Sequence, residues 1–270
     1  MSIGPTWTML DFLVSTSESE LLSDMLWSLG VVAVEEREAS PGFVTLRTSL
    51  GEDHSVIRNF IQENFPKVRV SIAHIDRSVA DSWRIHAVPT WVNEAVVLCP
   101  AWVTSPNATH VIFIEPGDTF GLGNHPTTVL ALRLGLKHCA PHSQIFDFGC
   151  GSGVLAIGMT KILRCQSFVY DIAYNAKEVV RVNEELNHVH TTWCSDFNKL
   201  QVNLVFANIL APVLVAESGP IKESVCGSGL IVLSGMRDDQ VDDVLLSYMD
   251  CIELERESQD GWIAVILRKQ

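Results

Sequence analysis

No run of this sequence stays apolar for the roughly 20 residues that a membrane-spanning helix requires. Its start, Met1-Ser2-Ile3-Gly4-Pro5-Thr6, carries neither the basic segment nor the apolar stretch of a secretion signal. The expectation is a cytoplasmic protein with no membrane partner. None of the seven cysteines forms a Cys-x-x-Cys pair, so neither a metal site nor a disulfide framework is indicated. Buried free thiols in a reducing compartment are expected instead. Repeats of solenoid period and low-complexity tracts are also missing. Basic residues are scarce: 19 Lys and Arg stand against 32 Asp and Glu, a formal net charge of -13. A surface of that sign repels nucleic acid phosphates and anionic membranes and attracts a basic partner. It also keeps a protein soluble, which is reason enough for it.

What is present is core material. Of the 270 residues, 47% are hydrophobic and 19% charged, enough to bury one large domain or two small ones. Residues 7–14 alternate as a strand. Ser17-Glu18-Ser19-Glu20 fits a capping box. Leu21, Leu22, Met25, Leu26 and Leu29 then recur at helical spacing, closed by Gly30. Residues 31–36 and 43–46 read as strands around the turn Ser40-Pro41-Gly42. Residues 55–65 carry a helical stripe stopped by Pro66, and 68–74 alternate again. The order β-α-β-β-α-β over residues 1–76 is a small α+β unit of the ferredoxin-like kind. No metal cluster or nucleophile constellation falls within it. It reads as a recognition domain, or as an appendage that only adds stability. Residues 77–102, with Trp83, Trp91 and Trp102, read as a linker whose indoles pack over a domain interface.

From roughly Val96 onward, apolar strand-like runs alternate with helical patterns. Strands are expected at 144–148, 167–170, 202–207 and 230–233. Helices are expected at 154–164, 174–187, 212–224 and 238–249, and two antiparallel strands at 251–256 and 261–268. Strands alternating with helices make a doubly wound α/β domain, residues 103–270.

Its chemistry centres on Asp147-Phe148-Gly149-Cys150-Gly151-Ser152-Gly153, which follows a strand and opens a helix. Glycines suit a sharp turn that a ligand approaches closely. Asp171 ends the next strand, where an acidic group accepts hydrogen bonds from a ribose diol. Together Gly149, Gly151 and Asp171 indicate an adenosine cofactor. Gly151-x-Gly153-x-x-Ala156 also satisfies the dinucleotide fingerprint if Ala replaces its third Gly. Asp147, however, would repel a pyrophosphate and would suit a cationic amino-acid group. S-adenosylmethionine carries a sulfonium and an amine, so methyl transfer is preferred to hydride transfer. Asn208 ends another strand and faces the same crevice, where its amide oxygen is able to accept from an incoming amine. Thr127 and Thr128 follow Pro126 at a helix start, a position that simple capping also explains.

These residues in this order resemble one family. Phe120-Gly-Leu-Gly-Asn-His-Pro-Thr-Thr128, the 147–153 turn, Asp171, Ala207-Asn-Ile-Leu-Ala211 and Leu233-Ser-Gly-Met236 are similar to the bacterial methyltransferases that modify ribosomal protein L11. The resemblance covers nearly the whole chain. It implies a Rossmann-like class I methyltransferase domain preceded by a small ferredoxin-like domain that holds the substrate. It implies that Thr128, Gly149, Asp171 and Asn208 contact S-adenosylmethionine. It further implies N-methylation of lysine ε-amines and the N-terminal α-amine of that ribosomal protein. The pattern departs from the family at Leu122, commonly Thr, at Pro212, commonly Gly, and in a shortened 81–86 segment. No His or Glu is marked by sequence as a general base. The rivals are methylation of another protein or of RNA, hydride transfer, and a cofactor-binding protein that has lost catalysis. Asn208-Ile209-Leu210-Ala211 lacks the aromatic that stacks a flipped base, which weighs against RNA.

Overall fold

A computed structural model describes residues 6–19, 34–48, 64–76, 87–117, 123–173, 175–197 and 200–270, with isolated positions between the first of these. The chain divides into two compact units, Met1–Ala87 and Val88–Gln270. Residues 88–102, expected within a linker, therefore belong to the second unit.

In the first unit, β1 (Thr6–Ser15), β2 (Val34–Ser40), β3 (Phe43–Thr48) and β4 (Arg69–Asp76) form an antiparallel sheet in the order β2-β3-β1-β4. That order puts the first and last strands side by side, as the split unit requires. Alternation sends Leu10, Phe12 and Val14 of β1 to one face, where they pack with Leu46, Ile61 and Val68. Most of the two expected helices lies outside the described residues, as does the 81–86 segment apart from Arg84.

The second unit begins with a small sheet of β5 (Thr90–Trp91), β6 (Val96–Pro100) and β7 (His110–Ile114). Helix α1 (Pro126–His138) leads into β8 (Gln144–Phe148), α2 (Val154–Leu163), β9 (Gln166–Tyr170), α3 (Ala176–Asn187), β10 (Thr192–Trp193) and β11 (Val202–Asn208). Then come α4 (Ala211–Ala216), α5 (Ser218–Glu223), β12 (Val225–Arg237), α6 (Val241–Leu245), β13 (Cys251–Gln259) and β14 (Trp262–Lys269). The large sheet runs β10-β9-β8-β11-β12-β14-β13. It is parallel up to β12, and β14 and β13 pair antiparallel.

Its central strands are apolar on both faces because helices cover both. Ile145, Leu204, Phe206 and Val232 pack with α1 and α2, while Phe146, Val205, Ile231 and Leu233 face α4 and α6. The helix expected over 212–224 is two helices that meet at Glu217. Pro220 has no N–H to return to Ala216, so one continuous helix is broken there. The helix expected over 238–249 is likewise the short α6 followed by a 3-10 turn at Leu246–Tyr248. All seven cysteines are free, five of them buried and two half-buried. Among the described residues, no helix is long and apolar enough to cross a membrane.

Candidate active site

The order of the large sheet reverses between β8 and β11. From β8 the chain moves through α2 to β9 on one side, and it later crosses to β11 on the other. Helices on opposite faces then diverge, leaving a crevice outside the carboxyl ends of the two strands. Asp147 pairs in register with Phe206, so Asn208 stands two residues further toward that edge on the adjacent strand.

The turn after β8 is closed by its own backbone. The N–H groups of Gly149 and Cys150 donate to the Tyr170 carbonyl at 2.8 and 2.9 Å, and Gly153 N–H donates to the Cys150 carbonyl at 2.8 Å. Gly149 has φ +77°, and a Cβ there would lie 2.5 Å from Ile209 Cγ2. Glycine is thus required both for the left-handed backbone and for space. Asp171 holds the turn from the other side: Gly151 N–H donates to Oδ2 at 2.8 Å and Ala173 N–H to Oδ1 at 2.8 Å. Each carboxylate oxygen keeps a further lone pair. Phe148, Tyr170 and Phe197 pack ring to ring next to this turn, with centroids 4.8–5.7 Å apart.

Asp147 is only 1% exposed. Its Oδ2 accepts from Ala156 N–H of α2 at 3.2 Å, and its Oδ1 is buried with no partner. Burial pushes the carboxyl up to about 7 against the opposing pull of that backbone bond, and the nearby negative charge of Asp171 adds to the rise.

Asn208 meets α1. Its Nδ2 donates to Thr128 Oγ1 at 3.4 Å, and its Oδ1 is likewise buried without a partner. Thr128 is fully buried. The N-cap of α1 is His125, whose Nδ1 lies 2.8 Å from Thr127 Oγ1, so Thr128 is left to face Asn208 rather than to cap. Burial lowers the pKa of His125, and its ring stands edge-on to Trp262 at 4.7 Å. Pro126 occupies the first helical turn, as its sequence position suggested. Phe120, Gly121 and Leu122 lie outside the described residues.

Ser234 and Gly235, within the Leu233-Ser-Gly-Met236 motif, both shape the site. Ser234 Oγ lies 3.2 Å from both the Thr127 and Ile263 carbonyls, and its own carbonyl accepts from Ile209 N–H at 3.1 Å. A Cβ at Gly235 would fall 2.3 Å from the Ile209 carbonyl oxygen, a backbone atom that cannot step aside. The loop after Asn208 is therefore pinned by β12. A hydroxyl inside an apolar strand was the one signal for Ser234. His125 gave none, since histidine is not a usual cap. Pro212 falls in the first turn of α4, where its missing N–H is no loss.

The two orphaned atoms are both acceptors. A ligand that offers N–H donors and positive charge would satisfy them, whereas a pyrophosphate would bring more acceptors and like charge beside Asp147 and Asp171. Parallel sheet, antiparallel closing pair, glycine turn and acidic strand ends together define a class I methyltransferase domain of Rossmann-like fold.

Comparison with known proteins gives the narrower assignment. The family described as "Ribosomal protein L11 methyltransferase (PrmA)" matches residues 6–270, and this chain belongs to it. Relatives named "Ribosomal protein L11 methyltransferase" from Ralstonia pickettii and Ralstonia nicotianae are 29% and 30% identical over 284 residues, covering 93% of this chain and 95% of theirs. A crystal structure of a ribosomal protein L11 methylase from Lactobacillus delbrueckii subsp. bulgaricus superposes with a TM-score of 0.62 at 23% identity. It covers 68% of this chain and 100% of its own, and supports the fold.

Proposed function

We propose that this chain transfers methyl groups from S-adenosylmethionine to amines of ribosomal protein L11, namely lysine ε-amines and the N-terminal α-amine. The observation that carries the reading is the pair of buried, unpartnered acceptors, Asp147 Oδ1 and Asn208 Oδ1, at the carboxyl ends of neighbouring strands. When bound, the cofactor supplies a methyl group on a sulfonium, already activated for displacement by its charge.

The chain's own residues position the reactants. Asp171 offers its remaining lone pairs to a ribose diol, and the turn at Gly149 and Gly151 allows close approach of the backbone. Asp147 faces the cationic amino-acid portion. Thr128 orients Asn208, whose Oδ1 accepts a hydrogen from the acceptor amine. With the cofactor bound, the methyl group would pass to the amine nitrogen as the carbon–sulfur electron pair returns to sulfur, and the methylammonium formed would give its proton to water. That amine must be neutral to attack, and a lysine with an ordinary pKa near 10.4 is brought down by burial and by the adjacent positive sulfonium. Holding the two reactants in line is the larger contribution.

The family, the acidic charge and the absence of an aromatic after Asn208 support a basic protein substrate over RNA. A cytoplasmic setting, in which ribosomal proteins assemble, fits the same reading. The test is labelled methyl transfer to purified L11 and to ribosomal RNA, with mass spectrometry locating the modified amines. Label in RNA and none in L11 would overturn the substrate. Asn208→Ala removes one contact to the reacting amine, a loss of about 1–3 kcal/mol or roughly 5- to 150-fold in kcat. An unchanged rate in that variant would remove Asn208 from the mechanism.

A further inference from the structure

Two asparagines one helical turn apart on α3 are almost wholly buried, Asn183 at 0% and Asn187 at 3% exposure. A buried amide persists only where its donors and acceptor are met. Asn187 pairs with β7: its Oδ1 accepts from Phe113 N–H at 2.9 Å, and its Nδ2 donates to the Phe113 carbonyl at 2.6 Å. It also donates to the Asn183 carbonyl and accepts from Lys161 Nζ. Asn183 makes the corresponding pair two residues along, with Glu115 N–H at 2.8 Å and the Glu115 carbonyl at 2.9 Å. Its second N–H does something that Asn187 does not: it donates to the Ser152 carbonyl at 2.9 Å. Ser152 lies in the glycine turn, immediately before Gly153, the N-cap of α2.

We propose that Asn183 is a positioning residue for cofactor binding, fixing the glycine turn by holding the Ser152 carbonyl against the 115–117 segment. The proposal rests on the S-adenosylmethionine reading above. The peptide plane between Ser152 and Gly153 carries the Ser152 carbonyl and the Gly153 N–H, and its orientation sets the path by which the turn enters α2. One end of that plane is tied to Asn183 and the other, Gly153 N–H, to the Cys150 carbonyl. The same amide grips Glu115, and two residues on Gly117 packs against the next stretch of α3: a Cβ on Gly117 would lie 2.8 Å from Val179. One side chain thus ties the glycine turn to the 115–117 segment. Asn187, almost as buried and bonded in the same way to the backbone of Phe113, has no bond to the turn and is a built-in control.

The experiment compares Asn183→Ala with Asn187→Ala by calorimetric titration with S-adenosylmethionine, by thermal unfolding, and by the KM for S-adenosylmethionine against kcat. Both variants should lose stability. Only Asn183→Ala is expected to weaken cofactor binding by about tenfold, the worth of one buried hydrogen bond, and to raise KM with little change in kcat. Asn183→Asp keeps the acceptor for Glu115 N–H but removes the amide donors, and it serves if the alanine variant does not fold. Equal losses of affinity in the Asn183 and Asn187 variants would overturn the proposal. So would failure of both Asn183 variants to fold while Asn187→Ala folds, because the role would then be structural. Wild-type protein that binds no S-adenosylmethionine would instead overturn the cofactor reading itself.

Discussion

Asp147 shows what a buried acceptor costs and what it makes possible. Its carboxyl is pushed from the ordinary 3.8 to about 7, chiefly because burial disfavours the charge. The folded state therefore holds the proton more tightly than the unfolded chain does. By linkage, this group's contribution to stability is full below about pH 4 and is lost as pH rises through about 7. Ligand-free protein is expected to lose stability across that window, and Asp147→Asn, which does not titrate, to lose less. A cationic ligand favours the carboxylate, so S-adenosylmethionine should bind more tightly as pH rises over the same range and release a proton in doing so. Thermal unfolding across pH, with and without the ligand, checks both signs. Identical pH slopes in wild type and Asp147→Asn would defeat this account. The positions of Asp147, Asp171 and Asn208 were legible in the sequence because strand ends follow from periodicity. The contact of Thr128 with Asn208 was not, because it joins residues 80 apart through the docking of α1, and no local pattern records that.

At the scale of elements, the strands of the large sheet other than the two-residue β10 were legible because runs bounded by turn residues leave few alternatives. Two helices were misjudged for a common reason. Apolar spacing over 212–224 and 238–249 continued past the point where the helical backbone stopped, at Glu217 in the first case, because Pro220 has no N–H to return to Ala216. The sheet of β5, β6 and β7 was hidden by its short strands and by the parallel pairing of β6 with β7 across a loop. Packing also overrides propensity within α1. Gly135 lies in the last turn of that helix, where Ala would still be preferred, by up to about 1 kcal/mol. A Cβ there would stand 2.3 Å from Cζ and 2.8 Å from Cε1 of Phe206, a fully buried ring on β11. The glycine lets α1 sit close to the strand that ends in Asn208. Gly135→Ala should thus destabilise the protein, by about 1–3 kcal/mol, because overpacking outweighs propensity. Urea unfolding measures it, and a stabilised variant would show that the ring can move aside at no cost.

At the scale of the whole molecule, the division of labour is the remaining inference. Asp147, Gly149, Gly151, Asp171, Thr128 and Asn208 all fall within Val88–Gln270, as do the elements that hold them. The first unit has a sheet and a core of its own, built on Leu10, Phe12 and Leu46. An independent core that includes none of these six residues suits the proposed substrate-holding role. The net charge of -13 suits a basic ribosomal protein as the substrate held. A fragment starting at Val88 keeps β5 and β6, which lie within the expected 77–102 linker, together with β7. It should bind S-adenosylmethionine within about threefold of the full chain, since no site residue is lost. Methylation of L11 should fall much further, because positioning of a bound substrate accounts for a large part of the rate. Calorimetry and labelled transfer on the same preparation separate the two effects. Full activity on L11 in the fragment would place substrate selection in the second unit, and loss of cofactor binding in a folded fragment would show that residues before Val88 complete the site.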